Sequence, residues 1–226
     1  MSIDLSYYDD KYPLNFDAEQ IIQGVKYTIG KHSYGIELIR LNNYDPTAAF
    51  HIGRFCAIAN TEFYLGGSKN VNLISTAFFI PKFFSKSTYG SDDHDKINEE
   101  PVDNSIYIGN DVWIGNRSTI MPKVIVGDGA VIAANSHVVT NIPPYAIYGG
   151  NPAKLISFRF TPDIISKLKL LAWWELDDSV INEIIPYLTT SQNSIEMTID
   201  ELIASFENLP RTNAFVDKKI KSTIWR

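Results

Sequence analysis

Few side chains in this 226-residue chain can take a proton from an attacking oxygen. The four histidines, His32, His51, His94 and His137, carry the group best suited to that work near neutral pH. A well-placed general base accelerates attack by a hydroxyl about 10²–10⁴-fold, so its position bounds which acceptors can react. Cys56 is the only cysteine, which excludes an intrachain disulfide and a zinc cluster built from thiolates. Which histidine can reach a substrate depends on the elements that carry them.

Those elements follow a period of six. An aliphatic residue stands at Ile108, Ile114, Ile120, Val126, Ile132 and Val138, with Gly or Ala next to it at Gly109, Gly115, Gly127 and Ala133. A short side chain recurs four places on, at Val112, Ser118, Val124, Ala130 and Ser136. Ile52 to Ile58 keeps the same phase, and Ile29 to Ser33 reads as an isolated copy. A helix repeats its apolar stripe every three to four residues and an antiparallel strand every two, so period six is neither. Each hexad is one short strand and one turn. Three such faces close a triangular coil of about 18 residues. The expected fold is mainly β, a left-handed parallel β-helix, with the aliphatic residue inside and the small residue where coils stack.

Ile58 and Ile108 are not separated by a multiple of six, so the segment 66–105 is expected to loop out of the coil. It is rich in Ser, Asn, Asp and Lys and contains Ala77-Phe78-Phe79-Ile80 and Ser91-Asp92-Asp93-His94-Asp95. A long insertion in a regular solenoid carries an entropic cost and is usually functional, so it reads as a site-forming loop. His32 and His51 fall at coil edges and His137 at a turn position of a hexad. All three read as structural, and His94 is the histidine a loop could carry to a cleft. The histidines lack a ligand-like cluster at coil spacing, so no metal is expected.

After Pro143-Pro144-Tyr145 the repeat decays and the chain is expected to leave the coil through Gly149 to Lys154. Thr161-Pro162-Asp163 is an N-cap, first-turn proline and acidic residue in order, predicting a helix to about Leu171. Two more helices are expected, from Asp177 to about Ile185 and from Thr198 to about Glu207, with Trp173-Trp174 as a packing anchor. The domain reading is 1–158 for the β-helix with its insertion at 66–105, and 159–226 for the helical segment.

A net charge of -6 argues against a nucleic-acid partner. Hydrophobic residues at 45% support a real core. The opening MSIDLSYYDDKYP lacks a basic and then apolar leader, and no run of about 18 apolar residues occurs. The chain reads as cytoplasmic, without a membrane span.

At Ile108-Gly-Asn-Asp-Val-Trp-Ile-Gly115 and Ala146-Ile-Tyr-Gly-Gly-Asn-Pro-Ala-Lys154 the chain resembles the xenobiotic (chloramphenicol and streptogramin) acetyltransferases of the hexapeptide-repeat kind. Many relatives in that family O-acetylate surface polysaccharides or their sugar precursors. The likeness runs from about Val25 to Leu188. It implies acetyl-CoA as donor, a homotrimer, and active sites in the clefts between neighbouring coils. It implies Trp113 near the thioester, Ala134 offering backbone groups to the pantetheine arm, and Lys154 with Arg159 facing the nucleotide phosphates. Relatives commonly carry a lysine where this chain has Thr140. Their catalytic histidine, usually within Gly-Gly-Asn-His-Arg, corresponds here to Leu65-Gly66-Gly67-Ser68-Lys69-Asn70-Val71, so Lys69 or Asn70 stands in its place.

Lys69 would act as a base only if neutral, and lowering its pKa from about 10.4 to near 7 costs about 4–5 kcal/mol. His94 is the replacement imidazole in the same insertion. A missing base favours an amine acceptor, whose neutral nitrogen is already nucleophilic, whereas the family's habit favours a sugar hydroxyl. The functional expectation is an acetyl-CoA-dependent acyltransferase acting on a sugar or surface-polysaccharide precursor, by O- or N-acetylation. A catalytically inactive β-helix scaffold and an antibiotic O-acetyltransferase are the alternatives.

Overall fold

A computed structural model describes residues 17–22, 25–67, 74–75, 77, 82–83, 85–86, 103–190 and 195–206. Its body is three sheets wound from successive short strands. The first sheet stacks β2 (Val25–Ile29), β4 (Ala49–Ile52), β7 (Ile106–Ile108) and β10 (Ile125–Val126) in parallel, with β1 (Ala18–Ile22) antiparallel at the edge. The second stacks β5 (Ala57–Ile58), β8 (Trp113–Ile114), β11 (Val131–Ile132) and β13 (Ala146–Gly149) in parallel; β14 (Lys154–Phe158) then returns antiparallel. The third holds β3 (Ile39–Asn43), β6 (Thr61–Leu65), β9 (Ser118–Ile120) and β12 (His137–Val138), all parallel.

The register explains the period. Ile108 pairs with Val126, Ile114 with Ile132 and Ile120 with Val138, so the aliphatic position of every hexad lies over its equivalent one coil away. These residues are fully enclosed, as are Phe50, Phe63, Leu65 and Ile106. Burial of each such side chain contributes about 1.5–3 kcal/mol, which two- and three-residue strands need because their own hydrogen bonds are few. The fragment Ile29 to Ser33 belongs to a complete coil: Ile29 pairs with Ile52, and Tyr34 bridges Ala57.

Turns between sheets stack into corner columns. At the first corner, between the first and second sheets, His32, Phe55, Asp111, Gly129 and Tyr145 all have positive φ, from 54° to 69°. The N–H of Phe55, Asp111, Gly129 and Tyr145 each donates to the preceding coil, to the carbonyls of Lys31, Arg54, Asn110 and Asp128. At the second corner Arg117 and Asn135 do the same, donating to Asn60 and Asn116. This left-handed conformation costs a non-glycine residue about 1–2 kcal/mol, which the inter-coil bond and the buried hexads offset. Glycine is required for a different reason at Gly115, where an added Cβ would stand 2.5 Å from the Ala134 nitrogen of the next coil.

The insertion leaves between the second and third coils without disturbing their stacking, since β4 still pairs with β7 and β6 with β9. Its C-terminal end is tied to the turn between β3 and β4 at the third corner. Asn104 Nδ2 donates to Asp45 Oδ2 at 2.9 Å, and the Ala49 N–H donates to Ser105 Oγ at 2.7 Å. Burial pulls the Asp45 carboxyl upward, but hydrogen bonds from Thr47, Asn104 and Ala48 outweigh it and hold the group below its usual range.

Three helices follow: α1 (Pro162–Leu171), α2 (Asp178–Leu188) and α3 (Ile195–Phe206). Thr161 precedes α1 as expected, and Ala172 ends it in the left-handed conformation. The third starts earlier than expected, at Ile195, and runs through Thr198; one β-branched residue costs only a few tenths of a kcal/mol. The helices pack on the first corner. Trp174 is enclosed beside Tyr145, Leu168 and Ile199, while Phe55 packs at a tilt against Trp173 with centroids 4.6 Å apart. Buried Arg54 donates to the Trp174 carbonyl and is paired with Asp17. No helix among the described residues is long and apolar enough to cross a membrane.

Candidate active site

Three of the residues expected to bind the donor, Trp113, Ala134 and Lys154, lie along the second sheet and second corner. On the sheet's outer face Ala57, Trp113 and Val131 lie in one cross-strand row. The small neighbours leave the indole standing clear, 58% exposed, in a row where the inward residues Ile58, Ile114 and Ile132 are enclosed. An exposed tryptophan on a packed solenoid face is a costly arrangement for an isolated subunit, and it suits a ligand or a second subunit.

At the adjoining corner, Ala133 donates its N–H to the Tyr148 carbonyl at 2.8 Å and Asn135 donates to Asn116 at 2.9 Å. Between those bonds Ala134 is exposed, with its backbone nitrogen packed against Gly115 of the neighbouring coil. The exit turn Gly149-Gly150-Asn151-Pro152 lies one coil further, with a cis Asn151-Pro152 bond, and Lys154 opens β14 directly opposite Gly149. Trp113, Ala134 and Lys154 therefore line one sheet and one corner over successive coils. Sequence reading did not single out Asn116, Arg117 or Asn135 in the same column. Asn135 was a usable signal, because it has positive φ and Asn tolerates that better than most residues.

Arg159 is not part of that line. The chain does not simply leave the coil after Gly149; β14 runs back along β13, pairing Lys154 with Gly149 and Phe158 with Ala146. Four rises of about 3.3 Å each put roughly 13 Å between its two ends. Arg159 arrives at the first corner, where its Nη1 donates to Asp111 Oδ2 at 3.2 Å and the Gly129 carbonyl at 2.7 Å. Its guanidinium also lies over the rings of Tyr145 and Phe160. Lys154 and Arg159, expected together at the phosphates, therefore lie at opposite ends of the return strand. Burial pushes the Asp111 carboxyl up, with help from Asp128, although Arg159 opposes it.

The described histidines lie on three different parts of the coil. His51 is enclosed on the first sheet with its Nδ1 2.5 Å from Thr28 Oγ1. His32 lies at the first corner, stacked on Phe55, with Nε2 3.1 Å from Asp178 Oδ1. His137 lies on the outer face of the third sheet beside Thr119, and its backbone bonds Gly150 and Ala153 of the exit turn. It is the described histidine nearest the second corner. His94, Lys69 and Asn70 lie outside the described residues; Gly66 and Gly67, which precede the latter two, both have positive φ. Cys56 is fully enclosed and desolvation pushes its thiol up to about 12, which removes it as a nucleophile. Among the described residues no group of three His, Cys, Asp or Glu side chains could hold a metal.

Residues 105–140 match the bacterial transferase hexapeptide family (six repeats). The chain is 39% identical over 166 residues to a protein of Lysinibacillus sphaericus described as a probable macrolide acetyltransferase, covering 72% of this chain and 86% of that one. It is 30% identical over 207 residues to a chloramphenicol acetyltransferase of Klebsiella aerogenes, covering 82% and 92% of the two chains. Among solved structures, the polySia-specific acetyltransferase NeuO overlaps 60% of this chain and 53% of its own, at 26% identity and a TM-score of 0.44.

Proposed function

This chain belongs to the hexapeptide-repeat acetyltransferases, an enzyme family, and from that premise we propose that it moves the acetyl group of acetyl-CoA to a hydroxyl of a hydroxyl-bearing antibiotic. The observation that carries the donor half is the exposed row at Trp113, continued by Ala134 and ending at Lys154. An extended amide-bearing arm can lie along that exposed corner between the tryptophan and the lysine. Lys154 then meets the anionic end and Trp113 the thioester end. The acceptor half rests on the two relatives, both named for antibiotic acetylation, that are matched over most of their length.

Two features belong to the same reading. The coil is left-handed and works as a homotrimer, because one flat face cannot enclose a ligand whereas two coils side by side can. The domain division at residue 158 sets this machinery apart from the helical segment.

In the reaction the acceptor oxygen attacks the thioester carbonyl, its proton passes to a base, and the C–S bond breaks to release coenzyme A as the thiol. The insertion supplies the base in this reading, with His94 its imidazole and Lys69 and Asn70 at the family's usual position. His137 is the second assignment, favoured by its backbone bonds to the exit turn that carries the donor line. A second acceptor class is a sugar or surface-polysaccharide precursor in the cytoplasm, favoured by the Ser-, Asn- and Asp-rich insertion, whose side chains suit hydroxyl groups.

The test is thiol release from acetyl-CoA with chloramphenicol, a macrolide, and a panel of sugars and nucleotide-linked amino sugars. Transfer to an antibiotic above a Trp113→Ala control is the expected result. Transfer to saccharides alone replaces the acceptor, and no binding of acetyl-CoA at millimolar concentration removes the whole reading. His94→Ala and His137→Ala then separate the two bases, because only the true one lowers kcat about 10²-fold or more.

A further inference from the structure

With Arg159 held at the first corner, the far end of the donor line keeps Lys154 and gains a second basic group from the fold. The chain passes from β13 to β14 through residues 150–153, and this turn lies on β12. The His137 N–H donates to the Gly150 carbonyl at 2.9 Å, and the Ala153 N–H donates to the His137 carbonyl at 2.8 Å. Lys154 comes next and pairs with Gly149. His137 and Lys154 therefore flank one turn, His137 on the third-sheet side of the second corner and Lys154 on the second-sheet side. Trp113 lies two coils before that turn, across Val131 and Ile147, which keeps the ring of His137 nearer Lys154 than the thioester end.

Both side chains are open to an incoming anion. Lys154 is exposed and His137 half-buried, and neither has a hydrogen bond or an ion pair with another described residue. Around His137 the charged groups are Lys154 across the turn, Arg117 at the corner one coil before Asn135, and Glu62 in the same cross-strand row beyond Thr119. Glu62 is two strand spacings away, about 9–10 Å. It is already met by Arg40 and by the Tyr64 hydroxyl. Neither in its row nor in the turn does a carboxylate stand next to the His137 ring.

We propose that His137 is a second ligand for the nucleotide phosphates of acetyl-CoA, in the place that Arg159 does not reach, and that donor binding is coupled to protonation of its imidazole. This rests on acetyl-CoA as the donor and takes His94 as the base. An imidazolium beside a phosphate makes a charge-assisted hydrogen bond, and the phosphate in turn favours the charged ring. The complex therefore takes a proton from solvent onto His137, and donor affinity rises as pH falls from about 8 to about 6.5. A lysine stays charged throughout that range and adds no such dependence.

The experiment is calorimetric titration of the full chain at about pH 7, in two buffers of different ionisation enthalpy, with acetyl-CoA and with acetylpantetheine, which lacks the nucleotide. Net proton uptake with acetyl-CoA and none with acetylpantetheine is the expected result. His137→Asn should weaken acetyl-CoA about tenfold, as the loss of one charge-assisted hydrogen bond requires, remove the uptake, and leave acetylpantetheine within about twofold. Lys154→Gln should weaken acetyl-CoA yet keep the uptake, because the ring remains. No uptake by the unaltered chain overturns the proposal, as does uptake that persists in His137→Asn. A fall in kcat in that variant with donor affinity and uptake unchanged also overturns it and makes His137 the base. Failure of the unaltered chain to bind acetyl-CoA at all is a different result, which removes the donor itself and this inference with it.

Discussion

At the first corner the left-handed turn positions carry His32, Phe55, Asp111, Gly129 and Tyr145, and three helices lie across them. At the second they carry Arg117 and Asn135, both exposed, beside an exposed Ala134. The backbone turn is the same, with the same donation to the coil below. What differs is the side chain at a position the fold leaves open. Two large aromatic rings there make an apolar platform that must be covered, whereas polar and short side chains leave a solvated edge against which a substrate can lie. A solenoid thus sets a braced corner apart from an open one by the residues it places at equivalent positions.

The largest expected break in this comparison comes from Trp174→Ala at the closed corner. Deleting that enclosed indole should cost about 3–5 kcal/mol in urea unfolding, and acetyl-CoA affinity should persist in whatever fraction is folded. An unchanged midpoint would mean the helices do not brace the coil. Gly129→Ala should follow in size, because a Cβ there meets the Tyr145 ring and sits at positive φ; a loss of about 1–3 kcal/mol is expected from thermal unfolding.

Paired substitutions at the two ends of β14 sharpen the contrast. Lys154→Ala should weaken acetyl-CoA about tenfold in calorimetry, the worth of a charge-assisted hydrogen bond, with little change in Tm. Arg159→Ala should lower Tm, since Asp111 then loses its guanidinium, and leave donor affinity within about twofold. The opposite pattern would return Arg159 to the phosphate role that the sequence suggested.

The smallest effect is the response to acid. The Asp17 and Asp178 carboxyls are pulled upward by burial but are held below the usual range by Arg54 with Lys31 and by Lys31 with His32, respectively. A depressed folded-state pKa means stability that is present above the unfolded value near 4 and lost as pH falls through the folded one. Asp111 works in the opposite sense: its raised folded-state value means a contribution that declines as pH rises through it. Urea midpoints should therefore fall below about pH 4, and Asp178→Asn should reduce that fall.

Much of this was legible in the residues. Hexads from Ile108 to Val138 state the coil, its inward positions and its period, because an aliphatic core in a repeating solenoid is a local pattern. Thr161-Pro162-Asp163 likewise marks the start of α1. The corners were less legible, because their left-handed positions hold His, Phe, Asp, Tyr, Arg and Asn more often than Gly. The direction of the chain after Gly149 was not legible at all, since nothing in Lys154 to Phe158 distinguishes an exit from a return strand.

That return is what only the tertiary structure decided. The sequence by itself determined the period, because a hexad is a local pattern, and the family, through the motifs beginning at Ile108 and Ala146. Whether Lys154 and Arg159 act together depends on where a strand of five residues ends. That end point is set by antiparallel pairing with β13 and by a corner built from residues as distant as Phe55 and Asp111. The groove between the first corner and the helices has the same origin, as its walls come from a coil turn and from helices that meet only when the chain is folded.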